Sequence, residues 1–315
     1  MNLSHLEWGK SNFWYWRDFK TFWQVIGDLE NPPLVLIHGF GASSFHWRRN
    51  ALDFAKAGFC VYGIDLIGFG KSEQPSSLQV SRLDNEFWAK QLIAFLEEIV
   101  INSYHQKVVL IGNSLGSLVG LTSLRLRNEL ISALVAAPLP DPAFMSSFKF
   151  SYNKYFRKIK YYFSKVFFKL LPLELIVPFI SYTKIINIAL EFAYNKSIKE
   201  DKDLREIVTV PARRKTASRA LRAMCFGMTT RAINMTAPNL LKSLTFSKDR
   251  VPILLVWGRE DKLIPFSVAK TIVKSNSWLD LLVIEDTGHC PHDESFQEFN
   301  KNVIQWLKSN LGESF

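Results

Sequence analysis

Six runs of three to five apolar residues constrain the fold of this chain more than any other feature. They are Leu34–Ile37, Cys60–Ile64, Val108–Ile111, Ala133–Val135, Ile253–Val256 and Leu281–Ile284. A run this short with no polar alternation suits a strand buried on both faces of a parallel sheet. Between the runs, Phe87, Gln91, Leu92, Phe95, Leu96 and Ile99 recur at three- and four-residue spacing, as do Phe296, Phe299, Val303, Ile304 and Leu307. Those spacings predict helices. Strands alternating with helices call for an α/β architecture, a mostly parallel central sheet with helices on both faces. Ahead of it, Phe13–Arg17 and Thr21–Ile26 read as two aromatic strands of a hairpin.

The alternation stops after Pro142 and resumes near Val251. The chain therefore divides into a core domain, 1–142 and 251–315, and an inserted helical cap, or lid, over 143–250. In the cap Phe148, Tyr152, Tyr155, Phe156, Ile159, Phe163, Val166, Phe167 and Leu170 form a helical stripe, with lysines largely off it. One reading is a helix packed on the main domain with a solvated basic face. The other is a basic amphipathic helix that rests on an anionic bilayer or admits an apolar substrate from one.

Charge bears on that choice. The 315 residues carry 39 Lys and Arg against 29 Asp and Glu, a net +10. Residues 143–235 hold 18 basic and 6 acidic side chains, whereas the remainder holds 21 and 23. The excess belongs to one segment, and no stacking or basic motif of a nucleic-acid module accompanies it, so nucleic acid is not an expected partner. With 48% hydrophobic and 22% charged residues the chain is no disordered segment, collagen-like repeat or coiled coil. Cys60, Cys225 and Cys290 make no disulfide framework and point to a reducing, cytoplasmic location. No Cys or His cluster has metal-site spacing. Met1–Lys10 has no secretory pattern, and the longest apolar stretch, Val166–Ile180, is broken by Lys169, Pro172, Glu174 and Pro178. A soluble protein is expected, with peripheral contact between the basic cap and an anionic membrane left open.

Chemistry enters at Gly112-Asn113-Ser114-Leu115-Gly116, which follows the run Val108–Ile111 and precedes the helical stretch Leu118–Leu126. A G-x-S-x-G between strand and helix is a nucleophile elbow: a sharp turn whose glycines clear space around an exposed serine. The helix start also directs the Leu115 N–H toward developing negative charge. His38-Gly39-Phe40-Gly41 follows an earlier strand, as an oxyanion loop does, with Phe40 N–H as the second donor. His38 is expected to hold that turn rather than to react.

A serine hydroxyl needs a base to take its proton and a carboxylate to orient that base. Asp261 lies just past the run Ile253–Val256 and His289 just past Leu281–Ile284, in the chain order Ser…Asp…His. All three candidates fall at the C-terminal ends of strands, where open α/β sheets place their sites. The rivals fit less well. Glu260 reads as a surface charge, Asp286 is too near His289 in sequence to orient it, His292 reads as structural and Cys290 as packing. Asp65 is expected to shape its own turn.

On these residues the chain resembles the serine α/β-hydrolase superfamily over 12–142 and 251–310, with an α/β-hydrolase fold and a helical cap above the nucleophile. The resemblance implies an acyl-enzyme route in which Ser114 attacks, His289 shuttles the proton, Asp261 orients it, and the Phe40 and Leu115 amides hold the oxyanion. It implies no metal or organic cofactor. Serine at the elbow separates the chain from haloalkane dehalogenases and epoxide hydrolases, which use aspartate there. Thr287–Glu294, Phe45-His46-Trp47-Arg48 and the elbow look like the pheophytinase and chlorophyll dephytylase-like branch, whose members cleave phytyl esters; Ser117, where that branch leads one to expect glycine, departs from it.

The expected substrate is a small molecule, a bulky apolar ester such as a phytyl or long-chain ester. Ten of the 21 residues in Phe148–Phe168 are Phe or Tyr, and an apolar chain buried among them gains about 0.8 kcal/mol per methylene. The same rings also suit the interior of the cap. The competing activities are carbon–carbon bond hydrolysis of the meta-cleavage type, which shares the Gly-Asn-Ser-x-Gly elbow, acyl transfer, and ligand binding by a protein that keeps the triad.

Overall fold

The computed structural model describes residues 3–76, 78–80, 82–101, 107–144, 154–183, 185–198, 200–245 and 249–312. Eight strands form one sheet among them: β1 (Lys10–Trp16), β2 (Phe19–Ile26), β3 (Pro33–Ile37), β4 (Cys60–Ile64), β5 (Val108–Asn113), β6 (Ile131–Ala137), β7 (Ile253–Gly258) and β8 (Asp280–Ile284). Their order across the sheet is β1-β2-β4-β3-β5-β6-β7-β8. β1 and β2 pair antiparallel as the expected hairpin, β2 lies antiparallel to β4, and every pair from β4 to β8 is parallel.

The uninterrupted apolar runs follow from burial on both sides. Along β3, Val35 and Ile37 enter one core and Leu34 and Leu36 the other; along β5, Val108 and Leu110 alternate with Val109 and Ile111 in the same way. On one face α1 (Ala51–Lys56) contributes Phe54, and a C-terminal helix contributes Phe299, Val303 and Leu307. On the other, α2 (Asn85–Phe95) and α3 (Leu115–Leu126) bury Trp88, Leu92, Leu118 and Leu121.

Between β6 and β7 lie α4 (Lys154–Leu170), α5 (Leu173–Tyr182), α6 (Ile185–Ala193), α7 (Lys202–Ala212), α8 (Ala217–Thr230) and α9 (Ala237–Thr245). The last of these, though inside the segment read as inserted, packs on α3 and sends Leu240 and Leu241 into the main core. After β7 come α10 (Phe266–Ser275), α11 (Pro291–Glu294) and α12 (Phe296–Leu311).

α4 overturns the reading of a stripe packed on the main domain. Phe148 and Tyr152 of that stripe, and the side chains of Tyr155 and Phe156, lie outside the described residues. Of the rest, Ile159, Phe163, Val166, Phe167 and Leu170 are all exposed, while Ser164 is buried. The cause lies on α8. Arg222 donates to the carbonyls of Phe168 and Lys169 in the last turn of α4, and to both carboxylate oxygens of Glu174 at 2.8 and 2.7 Å. Tyr161 meets Phe226 of α8 edge-on with ring centroids 5.2 Å apart. These anchors hold the side of α4 bearing Tyr161 and Ser164 inward. No single helix among the described residues is long and apolar enough to cross a membrane.

Candidate active site

Register brings the site together. Ile37 of β3 pairs with Gly112 of β5, so the His38–Gly41 loop emerges beside Asn113 and Ser114. Gly258 of β7 pairs with Ile284 of β8, so the loops holding Asp261 and His289 also leave the sheet side by side. All four loops lie at the same, C-terminal edge of the parallel strands, and the chain reverses its winding direction at β3 and β5.

Ser114 sits at φ 50°, ψ −114°, a conformation that non-glycine residues rarely adopt and that costs of order 1–3 kcal/mol. What holds it is close packing. A Cβ on Gly116 would lie 2.1 Å from the Ile37 carbonyl oxygen, so only glycine lets the first turn of α3 press against β3. Ser117 also holds the elbow. Its buried hydroxyl donates to the Gly112 carbonyl at 2.7 Å and accepts from the Ala137 N–H at 2.9 Å, tying the elbow to β6. The Asn113 side chain donates to the Ala137 carbonyl at 2.7 Å. Sequence reading registered Ser117 only as a departure and missed this tie. The signal was a hydroxyl one residue past the elbow.

From the strained serine an unbroken chain of hydrogen bonds runs inward. Ser114 Oγ lies 2.9 Å from His289 Nε2, and His289 Nδ1 lies 2.9 Å from Asp261 Oδ2. Asp261 is buried, and its Oδ1 accepts the N–H groups of Leu263 and Ile264, both at 2.9 Å. The carboxylate is thereby fixed with Oδ2 toward the ring. In the tautomer protonated at Nδ1, the imidazole donates to Asp261 and offers a lone pair to the Ser114 hydroxyl. Such an arrangement can withdraw a proton from the alcohol as it attacks.

Leu115 is the first residue of α3, where backbone N–H groups have no partner within the helix. Phe40 follows His38 and Gly39, with its side chain exposed and edge-on to Phe69 at 5.7 Å. His38 has the expected structural part. Its Nδ1–H donates to the Gly39 carbonyl at 2.8 Å, its Nε2 accepts from Leu66 N–H at 3.0 Å, and burial pushes its pKa down to about 4. Asp65 accepts from the N–H groups of Ser44 and Lys71, both at 2.7 Å, and burial raises its pKa to about 6.

The rivals also find places. Burial pushes the Cys290 thiol far above the usual range, which leaves it protonated and unreactive. Glu260, expected as a surface charge, is half-buried and accepts the Thr287 N–H at 2.9 Å, joining the two loops. His292 is buried against Trp47, ring centroids 4.2 Å apart.

Behind the imidazole lies a buried polar cluster that sequence reading did not anticipate. His292 Nε2 lies 3.3 Å from His46 Nδ1, His46 Nε2 lies 2.8 Å from the Tyr194 hydroxyl and 3.6 Å from Asp293 Oδ2, and the Tyr194 hydroxyl donates to Asp293 Oδ2 at 2.8 Å. Arg48 pairs with Asp293 at 2.9 Å and with Asp201 at 2.7 Å. Burial opposes the charge on Asp293, but the neighbouring His46 and Arg48 outweigh it and hold the carboxyl well below the ordinary carboxylate range. Phe45–Arg48 and Thr287–Glu294, two of the three motifs that carry the pheophytinase resemblance, thus meet each other and Tyr194, just past α6, behind the site. Their packing explains why they occur together and gives no information on substrate.

A separate cleft of about 530 Å³ is lined by Phe13, Lys71, Tyr182, Arg213 and Arg214 among others, and by none of Ser114, Asp261 and His289. Its cations are engaged: Lys71 with Glu7, Arg213 with the Ser181 carbonyl, and Arg214 with the carbonyls of Gly70 and Ser72.

Comparison with known proteins agrees with this architecture. Epoxide hydrolase 4 of the mouse is 24% identical over 299 residues, 90% of this chain and 75% of its own length. A 2-hydroxy-6-oxononadienedioate/2-hydroxy-6-oxononatrienedioate hydrolase of Burkholderia vietnamiensis is 25% identical over 88% of both chains. Among solved structures, a thermophilic esterase from Thermogutta terrifontis superposes with a TM-score of 0.66 at 18% identity, over 92% of this chain and 94% of that one. These relatives span several reactions and do not single out the pheophytinase branch. The model of the alpha/beta hydrolase family matches residues 34–302, from β3 into α12, and the chain belongs to that family.

Proposed function

We propose that this hydrolase cleaves a carboxylic ester of a bulky apolar substrate through an acyl-enzyme on Ser114. One observation carries the reading: the continuous 2.9 Å contacts from Ser114 to His289 to Asp261, starting from a strained elbow. Ser114 Oγ attacks the ester carbonyl while His289 Nε2 takes its proton. The oxygen that becomes negative is held by the N–H groups of Phe40 and Leu115. The carbon–oxygen bond to the alcohol breaks, and His289 returns the proton to the leaving oxygen. Water, deprotonated by His289, then attacks the acyl carbon and frees the acid and Ser114. Asp261, held by two backbone donors, keeps the imidazole in the working tautomer throughout.

Serine at 114 separates this chain from its epoxide hydrolase relatives, since the superfamily opens epoxides with an aspartate. The exposed Phe40 ring beside the elbow favours an apolar acid or alcohol. Free cysteines, Cys60 and Cys290 buried and Cys225 half-buried, suit a cytoplasmic setting. The test is a fluorophosphonate probe with p-nitrophenyl esters of increasing chain length. Labelling at Ser114, turnover that rises with chain length, and a loss of roughly 10³-fold or more in Ser114→Ala are expected. Ordinary turnover by that variant would refute the assignment.

A second reading, carbon–carbon bond hydrolysis, is favoured by the 25% identity to the Burkholderia hydrolase and the shared Gly-Asn-Ser-x-Gly elbow. A vinylogous diketone cleaved quickly beside slow ester turnover would put it first.

A further inference from the structure

Three consecutive helices of the inserted segment turn apolar stripes to solvent. On α4, Ile159, Tyr162, Phe163, Val166, Phe167 and Leu170 follow the i, i+3, i+4, i+7 pattern of one helix face, with exposures up to 75% at Leu170. On α5, Leu175, Phe179 and Tyr182 do the same, and on α6, Ile188 and Phe192. In a soluble helix such a stripe normally faces the core. Here Arg222 and Phe226 of α8 hold the other side of α4 inward, so the outward orientation is built into the packing. Apolar surface of this extent marks a site of contact.

Charge selects the occupant. Lys165 and Lys169 are exposed on one flank of the α4 stripe, and the region from 143 to 235 carries three times as many basic as acidic side chains. A bent arrangement, 79° between α5 and α6, does not suit a straight crossing, but it does suit helices lying along a surface. Aromatic and aliphatic side chains flanked by lysines fit the boundary between headgroups and acyl chains of an anionic bilayer.

We infer that the outer face of α4–α6 docks this protein on the surface of an anionic lipid bilayer, with the Phe163–Leu170 stripe inserted and Lys165 and Lys169 at the headgroups. α6 ends at Ala193, whose carbonyl accepts the His289 N–H. The docked face is therefore joined directly to the segment carrying the site. Docking does not rest on the hydrolytic reading, so Ser114→Ala should bind vesicles as the wild type does.

The experiment is co-sedimentation with phosphatidylcholine vesicles, with and without phosphatidylglycerol. Binding is expected only with phosphatidylglycerol, weakening at least about tenfold between roughly 0.05 and 0.5 M salt. Lys165→Glu with Lys169→Glu should lower it by about tenfold or more. Replacing Phe163, Phe167 and Leu170 together by serine should abolish it with an unchanged circular dichroism spectrum, since all three side chains are exposed. Three results would overturn the inference: no partitioning of the wild type, partitioning that the serine variant retains, or a wild-type dimer that the serine variant splits without any vesicle binding. The last would assign the face to a second copy.

Discussion

The backbone N–H of His289 donates to the carbonyl of Ala193 across 2.7 Å, so the residue bearing the imidazole is fixed from the inserted helices as well as from the sheet. Glu294 strengthens the joint by accepting the N–H groups of Gly288, Asn195 and Lys196 at 2.7, 2.8 and 2.5 Å. Contact is close enough that a Cβ on Gly288 would lie 2.6 Å from the Ala193 oxygen and 2.8 Å from the Asn195 nitrogen. Gly288→Ala must push the two segments apart. A displacement approaching an ångström at a general base costs about 10²-fold in rate. The variant should label with fluorophosphonate and turn over esters roughly ten- to a hundredfold more slowly, in contrast to the near-complete loss expected for Ser114→Ala.

Asp261→Asn tests the orientation of the imidazole. The Leu263 and Ile264 N–H groups would keep the amide oxygen facing them, which turns the Nδ2 donor toward His289 Nδ1. The ring would then accept at Nδ1 and carry its proton on Nε2, facing the Ser114 hydroxyl that the proposed reaction requires it to deprotonate. Turnover should fall by about 10⁴-fold with the fold intact, as the wrong tautomer causes in serine proteases. Activity within tenfold of wild type would remove Asp261 from the mechanism.

Ser117→Gly places the residue expected from the pheophytinase resemblance into the elbow. It also removes the group that receives the Ala137 N–H and satisfies the Gly112 carbonyl, both buried. Leaving such groups unpaired costs about 1–3 kcal/mol. A urea titration should show that loss, with a lower midpoint and an unchanged slope. No loss would mean that the backbone finds other partners.

The elbow and both partner loops were legible because each is announced locally, by a short apolar run followed by a turn residue and a reactive side chain. Parallel register then does the assembly, since Ile37 beside Gly112 and Gly258 beside Ile284 bring the loops to one edge. What escaped sequence reading depends on partners far along the chain. The outward face of α4 is set by Arg222, more than fifty residues on. The tie between Tyr194 and Asp293 spans 99 residues. Ala193 contributes a backbone carbonyl, and every residue has one of those.

Asp293 gives that distant tie a pH signature. Burial alone would raise its pKa, but His46 and Arg48 bring it well below the usual 3.8, so the folded state holds the proton more weakly than the unfolded chain does. Stabilisation from the carboxylate is therefore complete above the ordinary carboxylate range and is lost as pH falls below it. Asp293→Asn removes the charge that Arg48 and the Tyr194 hydroxyl face. Breaking a buried pair from one side typically costs about 3–5 kcal/mol. Unfolding free energies from denaturant titrations at neutral pH should differ by an amount in that range, and the gap between wild type and variant should narrow steadily below about pH 4. A gap that stays constant down to the acid transition would show that the Asp293 charge contributes nothing to holding the inserted helices against the His289 loop.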